Sequence, residues 1–563
     1  MAFARIGDDA RWPEGLVPFE ISPDFDDGQR RTVRRAVAHW NGRTIMRLMP
    51  RAGQADFVRF EPADGFCRSA VGRVTGPQAI GCDVAAGFSL GSVIHEIGHA
   101  VGYFHEQQRP DRDQFVDIVE ENIEAGKEGN FEVRTGLTLG PYDYGSIMHY
   151  PRDAFADGGD TIVPLQDVSI GQREGLSDRD VAGVCLLYQA PHVVVAFEDS
   201  RSPGRRTVRW TGLTRWGRRC WGPDAVGERV DGPRSAPNVA VDDDRTAVVV
   251  WEDDPDDDGR FRAMARCRTV DGAPRFDLLP LTDAPGSHRE PDVGMVPGGD
   301  LVAVWQSAPP GGGRQIRARG LDRRGRERWP EVVVADGASA IPAGPAVAVD
   351  TGGGFVVAWS ELAGDVLAVR AQGFRGDGVA RFAPFTVADG LGDQDVVARV
   401  AVAGDGAFVV VWEPAGGDVH ARGYAADGTP GFGPLTVNGV PGGPALLCDV
   451  AAMPGGRFAV VWTDDRDGNG LGQIRSRVFD AGGGPAGPEF TANPRGGGDQ
   501  GGPRVAIDRA GRVYLVWADD EDGNGVYQVH AQGVEADGTA FLRSFTVNTV
   551  WAGQQRRPAV ATR

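Results

Sequence analysis

An apolar run ending in an aromatic residue returns every 50 to 55 residues through two thirds of this chain, closing on Phe197, Trp251, Trp305, Trp359, Trp412, Trp462 and Trp517. A shorter run precedes most of them, often behind a proline, around Val239, Val293, Val347, Val400, Val450 and Val505. Two further strand-like runs follow each, as in QIRARGLD then PEVVVADG. Four short strands in a period near 50 residues is the pattern of a propeller blade; an immunoglobulin-like sandwich needs about 100 residues. Runs such as VVVW are apolar at every position, which suits strands buried on both faces between neighbouring blades. The first aromatic, Phe197, has no leading run of its own, while the chain finishes on RRPAVATR, with Val560 one period after Val505. The last strand is therefore expected to pair beside His192–Asp199 and close a ring of seven blades. An open array of β units is the alternative; closure is favoured because it removes edge strands.

The repeat does not reach the first part of the chain. The composition shifts near Tyr188-Gln189-Ala190-Pro191-His192, which predicts one domain over residues 1–190 and a second over 191–563. The apolar fraction of 41% suffices for packed cores, and no apolar run approaches the roughly 18 residues of a membrane span. The net charge of −19 argues against nucleic acid or an anionic membrane as partner. Lys127 is the single lysine and arginine supplies the other cations, a composition bias rather than an anion-binding signal. No secretory signal is visible in Met1–Gly15, which is charged and lacks an apolar centre.

Residues 92–105 read SVIHEIGHAVGYFH. His95 and His99 stand four apart, so on a helix both rings leave one face and can hold one metal ion. Glu96 lies beside them, where its carboxylate can take a proton from water. Gly102 can adopt the positive φ that ends the helix and turns the chain, and His105 then returns as a third nitrogen ligand. Three neutral imidazoles leave a zinc ion one open position, the catalytic rather than the structural arrangement. The extended pattern, with a later methionine turn, is that of the metzincin metallopeptidases.

HEIGHAVGYFHEQQRPDRD (95–113) together with SIMHY (146–150) closely resembles the astacin family of zinc endopeptidases. The resemblance spans roughly residues 6–188, taking in RWPEGLVPFEIS, GFCRSAVGR, TIVPL and IGQREGLSDRDVAGVCLLY. It implies an α+β zincin fold, one catalytic Zn²⁺, protein or peptide substrates and a secreted protein. It also implies that Tyr150 is a further, displaceable zinc ligand that stabilises the oxyanion, that Met148 floors the metal, and that Glu106 contacts the buried mature N-terminus. Cys67 and Cys82 match one of the family's two disulfides. Ile45 stands where the other bridge begins, so Cys185 is expected as a buried thiol. Arg173 aligns near the pocket for the residue after the scissile bond, where a cation favours Asp or Glu; an exposed structural arginine is the alternative.

Three acid-rich loops, beginning at Asp254, Asp465 and Asp520, place oxygen ligands and a glycine like the start of a calcium loop but lack the later carboxylates, so solvated turns are preferred to Ca²⁺ sites. The expectation is thus a multidomain chain: an α+β metzincin domain followed by an all-β, seven-bladed propeller that binds substrate or a surface. The rival is a binding protein with a silent zincin domain; in a third reading the propeller is an inhibitory or structural cap.

Overall fold

The computed structural model describes residues 3–562 except 66, 86–87, 189–191, 203–204, 228–231, 270–273, 393–395, 415–416, 440–444 and 494–497. The chain forms two compact units, Met1–Ala190 and Pro191–Arg563. Residues 189–191 of the expected linker lie outside the described residues.

The first unit is α+β. Its five-stranded sheet runs, in order, Arg47–Pro50, Leu16–Ile21, Phe57–Ala63, Pro77–Asp83 and Arg68–Ser69. The first four strands are parallel and the short edge strand is antiparallel. Helix α1 (Asp27–Arg43) starts at Asp26, whose side chain accepts from Gln29 N while Gln29 answers with its own side chain, a capping box. Val33, Ala36, Val37 and Trp40 fall at helical spacing and are its buried face. Helix α2 (Leu90–Val101) is buried from Val93 to Val101, and α3 (Asp178–Leu187) follows near the end of the unit.

The second unit is a seven-bladed propeller. Each blade is a four-stranded antiparallel sheet; blades 2 to 7 are consecutive in sequence, beginning at Arg234, Ser287, Ile341, Val397, Ala445 and Gln500. Blade 1 takes three strands from Val193–Ala225, and its innermost strand is the last of the chain, Gln554–Thr562, with Val195 opposite Val560. The repeat aromatics are core residues, all buried. Each apolar cluster is shared by two neighbouring blades: Val250 and Ala265 of blade 2 pack with Val293 and Trp305 of blade 3, and Val195 and Phe197 of blade 1 pack with Val516 and Val529 of blade 7. Among the described residues each blade thus packs against both of its neighbours around the ring.

Polar bonds repeat with the same period. Glu198, the residue after Phe197, accepts from Ala236 N of the next blade at 2.8 Å, and Glu252, after Trp251, accepts from Glu290 N at 2.8 Å. Ala236 and Glu290 sit at positive φ, 49° and 51°, where the inner strand bulges. The carboxylates thus satisfy amides that the bulge removes from the strand ladder.

Candidate metal centre

The C-terminal carbonyls of helix α2, which is buried, are hydrogen-bonded. Gly102 N donates to His99 O at 2.8 Å, Trp12 Nε1 to Ala100 O at 2.8 Å and the Tyr188 hydroxyl to Val101 O at 2.8 Å. Those groups would otherwise be the unsatisfied C-terminal acceptors of a buried helix. One turn earlier, Trp40 Nε1 donates to Ile94 O at 2.9 Å. Gly102 ends the helix with φ 122°, and the reversal returns His105 to the helix face.

The ligand nitrogens of His95, His99 and His105 all lie within 4.8 Å of one another. His95 Nδ1 is bonded to Ile147 O at 2.8 Å and His99 Nδ1 to Tyr103 O at 2.7 Å. A carbonyl can only accept, so both Nδ1 atoms carry hydrogen and both Nε2 atoms present lone pairs. His99 Nε2 and His105 Nε2 approach to 3.1 Å. Zinc–nitrogen bonds of about 2.0–2.1 Å in a tetrahedron set ligand nitrogens about 3.3 Å apart, so the donor set fits that ion. Burial is the main cause that pushes all three imidazoles down, His99 to about 4 and His95 and His105 well below their ordinary value. They are therefore neutral ligands near pH 7. Among the described residues this is the group of His, Cys, Asp or Glu side chains assembled to hold a metal ion.

Glu96 is buried beside the tripod, and among the described residues its Oε2 has no hydrogen-bond partner. Burial raises its carboxyl to about 8, Cys67 adds to the rise and Arg173 opposes it. Met148 lies beneath α2: a β-carbon on Gly98 would sit 2.6 Å from the Met148 sulfur, so the glycine makes room for the thioether. The turn carrying Met148 is tied by Asp180 of α3, whose carboxylate accepts from Ser146 Oγ at 2.6 Å and Ile147 N at 3.0 Å. Ile147 is also the residue whose carbonyl holds His95, so Asp180 acts on a ligand through one residue of backbone. Nothing in the local sequence marks Asp180 or the carbonyls of Ile147 and Tyr103.

The Tyr150 ring packs on His105 with centroids 4.3 Å apart, and its backbone N donates to Gln107 Oε1 at 3.2 Å. Burial pushes its hydroxyl up to about 12. Arg173 is half-buried at the site rather than exposed, donating to His149 O at 3.0 Å. Its carbonyl passes so close to α2 that a β-carbon on Gly91 would lie 1.8 Å from it. Glu106 is fully buried, paired with Arg109 at 3.0 Å and accepting from Asp143 N at 2.9 Å.

The expected Cys67–Cys82 disulfide is absent from this structure; the two side chains share a hydrogen bond as thiols. The register that pairs Arg68 with Gly81 and Ser69 with Ile80 still sets them opposite each other. That bond brings Cys67 down to about 7, while the same bond and burial push Cys82 up. Cys185 is buried. In the acid-rich loops the carboxylates accept from their own turns: Asp254 from Gly259 N at 3.0 Å, Asp465 from Gly470 N at 3.1 Å and Asp520 from Gly525 N at 3.0 Å.

Three histidines on a helix and its returning turn, floored by a methionine, define the site of a metzincin-type metallopeptidase domain. The astacin peptidase family matches residues 5–189. Nematocyst expressed protein 6 of Nematostella vectensis is 39% identical over 196 residues, 33% of this chain and 68% of that protein. Bone morphogenetic protein 1 of Xenopus laevis is 41% identical over 213 residues, 34% of this chain but 29% of that protein, so the chain spans under a third of its length. The solved structure of high choriolytic enzyme 1, a hatching enzyme zinc-protease from Oryzias latipes, is 36% identical over 34% of this chain and 95% of its own, with a TM-score of 0.31. The chain belongs to the astacin family and carries an astacin metalloprotease domain joined in sequence to a β-propeller.

Proposed function

We propose that this chain is a zinc-dependent endopeptidase whose propeller binds substrate or a surface. The observation that carries the reading is the tripod: three neutral imidazoles converge, His95 and His99 buried and His105 half-buried, and two have their outer nitrogens fixed by backbone carbonyls. His95, His99 and His105 would hold the ion, with Tyr150 as a displaceable fourth. Zinc held there supplies a Lewis acid that polarises a peptide carbonyl and lowers the pKa of water to about 7. The chain's own residues do the rest. Glu96, whose raised carboxyl a bound dication would draw back to the ionised form, takes the proton from the attacking water and passes it to the leaving amine. The Tyr150 hydroxyl, kept protonated by burial, donates to the developing oxyanion. Arg173, which acts electrostatically on Glu96 and Tyr150, favours an acidic residue after the scissile bond. Cys67 and Cys82, already opposed, close to a disulfide in an oxidising compartment, in keeping with an exported protein. No described helix is long and apolar enough to cross a membrane.

Hydrolysis of casein with and without a zinc chelator tests the reading. The expected result is turnover that the chelator abolishes and zinc restores. Casein left intact by the zinc-loaded chain, with the metal shown to be bound, would favour a silent zincin domain carried by a binding protein.

A further inference from the structure

The propeller encloses a cavity of about 740 Å³ lined by the inner strands of all seven blades. That volume lies within the range of small-ligand sites, roughly 300–1,000 Å³. One ring of the wall is set by the residue before each repeat valine: Asn238, Asp292, Arg399, Asp449 and Arg504, with alanine on the other two blades. Each acid of this wall has one oxygen bonded to backbone. Asp292 Oδ2 accepts from Val347 N at 2.8 Å, Asp449 Oδ2 from Val505 N at 3.0 Å and Glu290 Oε2 from Gly344 N at 3.0 Å, each bonding the next blade. The cations are not matched in the same way. Among the described residues Arg399 Nη1 donates only to the adjacent Ala398 O, and its Nε makes a long ion pair of 3.9 Å with Asp449. Among the described residues the Arg504 guanidinium makes no hydrogen bond and no ion pair. Burial and the like charge of Arg399 both push its pKa down, partly offset by Asp449 and Asp292.

We propose that the propeller channel is a receptor for a free carboxylate, held between Arg504 and Arg399. A planar oxyanion there would turn the repulsion of two neighbouring guanidiniums into charge-assisted, forked hydrogen bonds. Arg314, which also lines the channel and an adjoining cavity of about 440 Å³, extends the cationic wall along the ligand's path. The carboxylate belongs either to a small organic acid or to the C-terminus of a peptide.

Titration calorimetry on the full chain carrying Glu96→Gln, which spares peptide probes from cleavage, decides the matter. The probes are succinate, tetra-alanine with a free C-terminus, and its C-terminal amide. At least one carboxylate probe is expected to bind saturably at millimolar concentration or below, with the amide silent. Succinate alone binding assigns the site to small acids, and tetra-alanine binding assigns it to peptide ends. Arg504→Met and Arg399→Met should each weaken binding at least about tenfold, as the loss of a charge-assisted bond requires. Arg504→Lys, which keeps the cation but loses the fork, should fall between and stands in if the methionine variant does not fold. Neither acid binding, affinity unchanged in the arginine variants, or binding that disappears with the zinc would overturn the proposal.

Discussion

The two units bury polar groups by opposite means. In the first unit the partnered polar groups around the tripod each have their own unrepeated partner: Ile147 O for His95, Tyr103 O for His99, Asp180 for the methionine turn. In the propeller one solution recurs, a carboxylate after the repeat aromatic capping the bulge amide of the next blade, at Glu198 and again at Glu252. A repeated device spreads its cost over the ring, because each blade touches its two neighbours. An unrepeated network cannot be compensated from elsewhere, so damage there should appear as lost function before lost fold.

The largest effect should come from removing a ligand. His99→Ala is expected to lose the metal and all measurable turnover while circular dichroism stays that of a folded chain; metal analysis checks it. Glu96→Gln should keep zinc and lower kcat by about 10²–10⁴-fold, the usual share of a general base, read by casein or peptide turnover. Asp180→Asn tests the unrepeated network at one remove. It leaves the ligands intact but weakens the hold on Ile147, and should cost about 10–100-fold in zinc affinity, measured by chelator competition. Trp305→Ala should leave zinc affinity unaltered and cost the propeller about 3–5 kcal/mol, seen as an earlier melting transition. A Trp305 variant that lost zinc, or an Asp180 variant that kept full affinity, would erase the contrast.

The sequence carried the parts of each unit that depend on short spacing. His95, Glu96 and His99 on one helix, the Gly102 reversal and the seven aromatic-ended runs are visible because helical and blade periods are local. The Val560 spacing also exposed the closing strand, although its partner Val195 lies at the far end of the repeat. What stayed hidden depends on long-range contact. Asp180 meets Ile147 across 33 residues, and Trp12 caps Ala100 across 88. The channel wall was hidden for another reason: the residue before each repeat valine varies in type, so no motif announces Arg399 or Arg504.

Zinc K-edge absorption on the full chain, purified without added metal, tests the tripod most directly. The expected spectrum shows one zinc per chain bound by three imidazole nitrogens at about 2.0–2.1 Å with the remaining ligand an oxygen, and His99→Ala removes it. A chain that holds no zinc after soaking, or a spectrum with sulfur in the coordination sphere, would contradict the assignment.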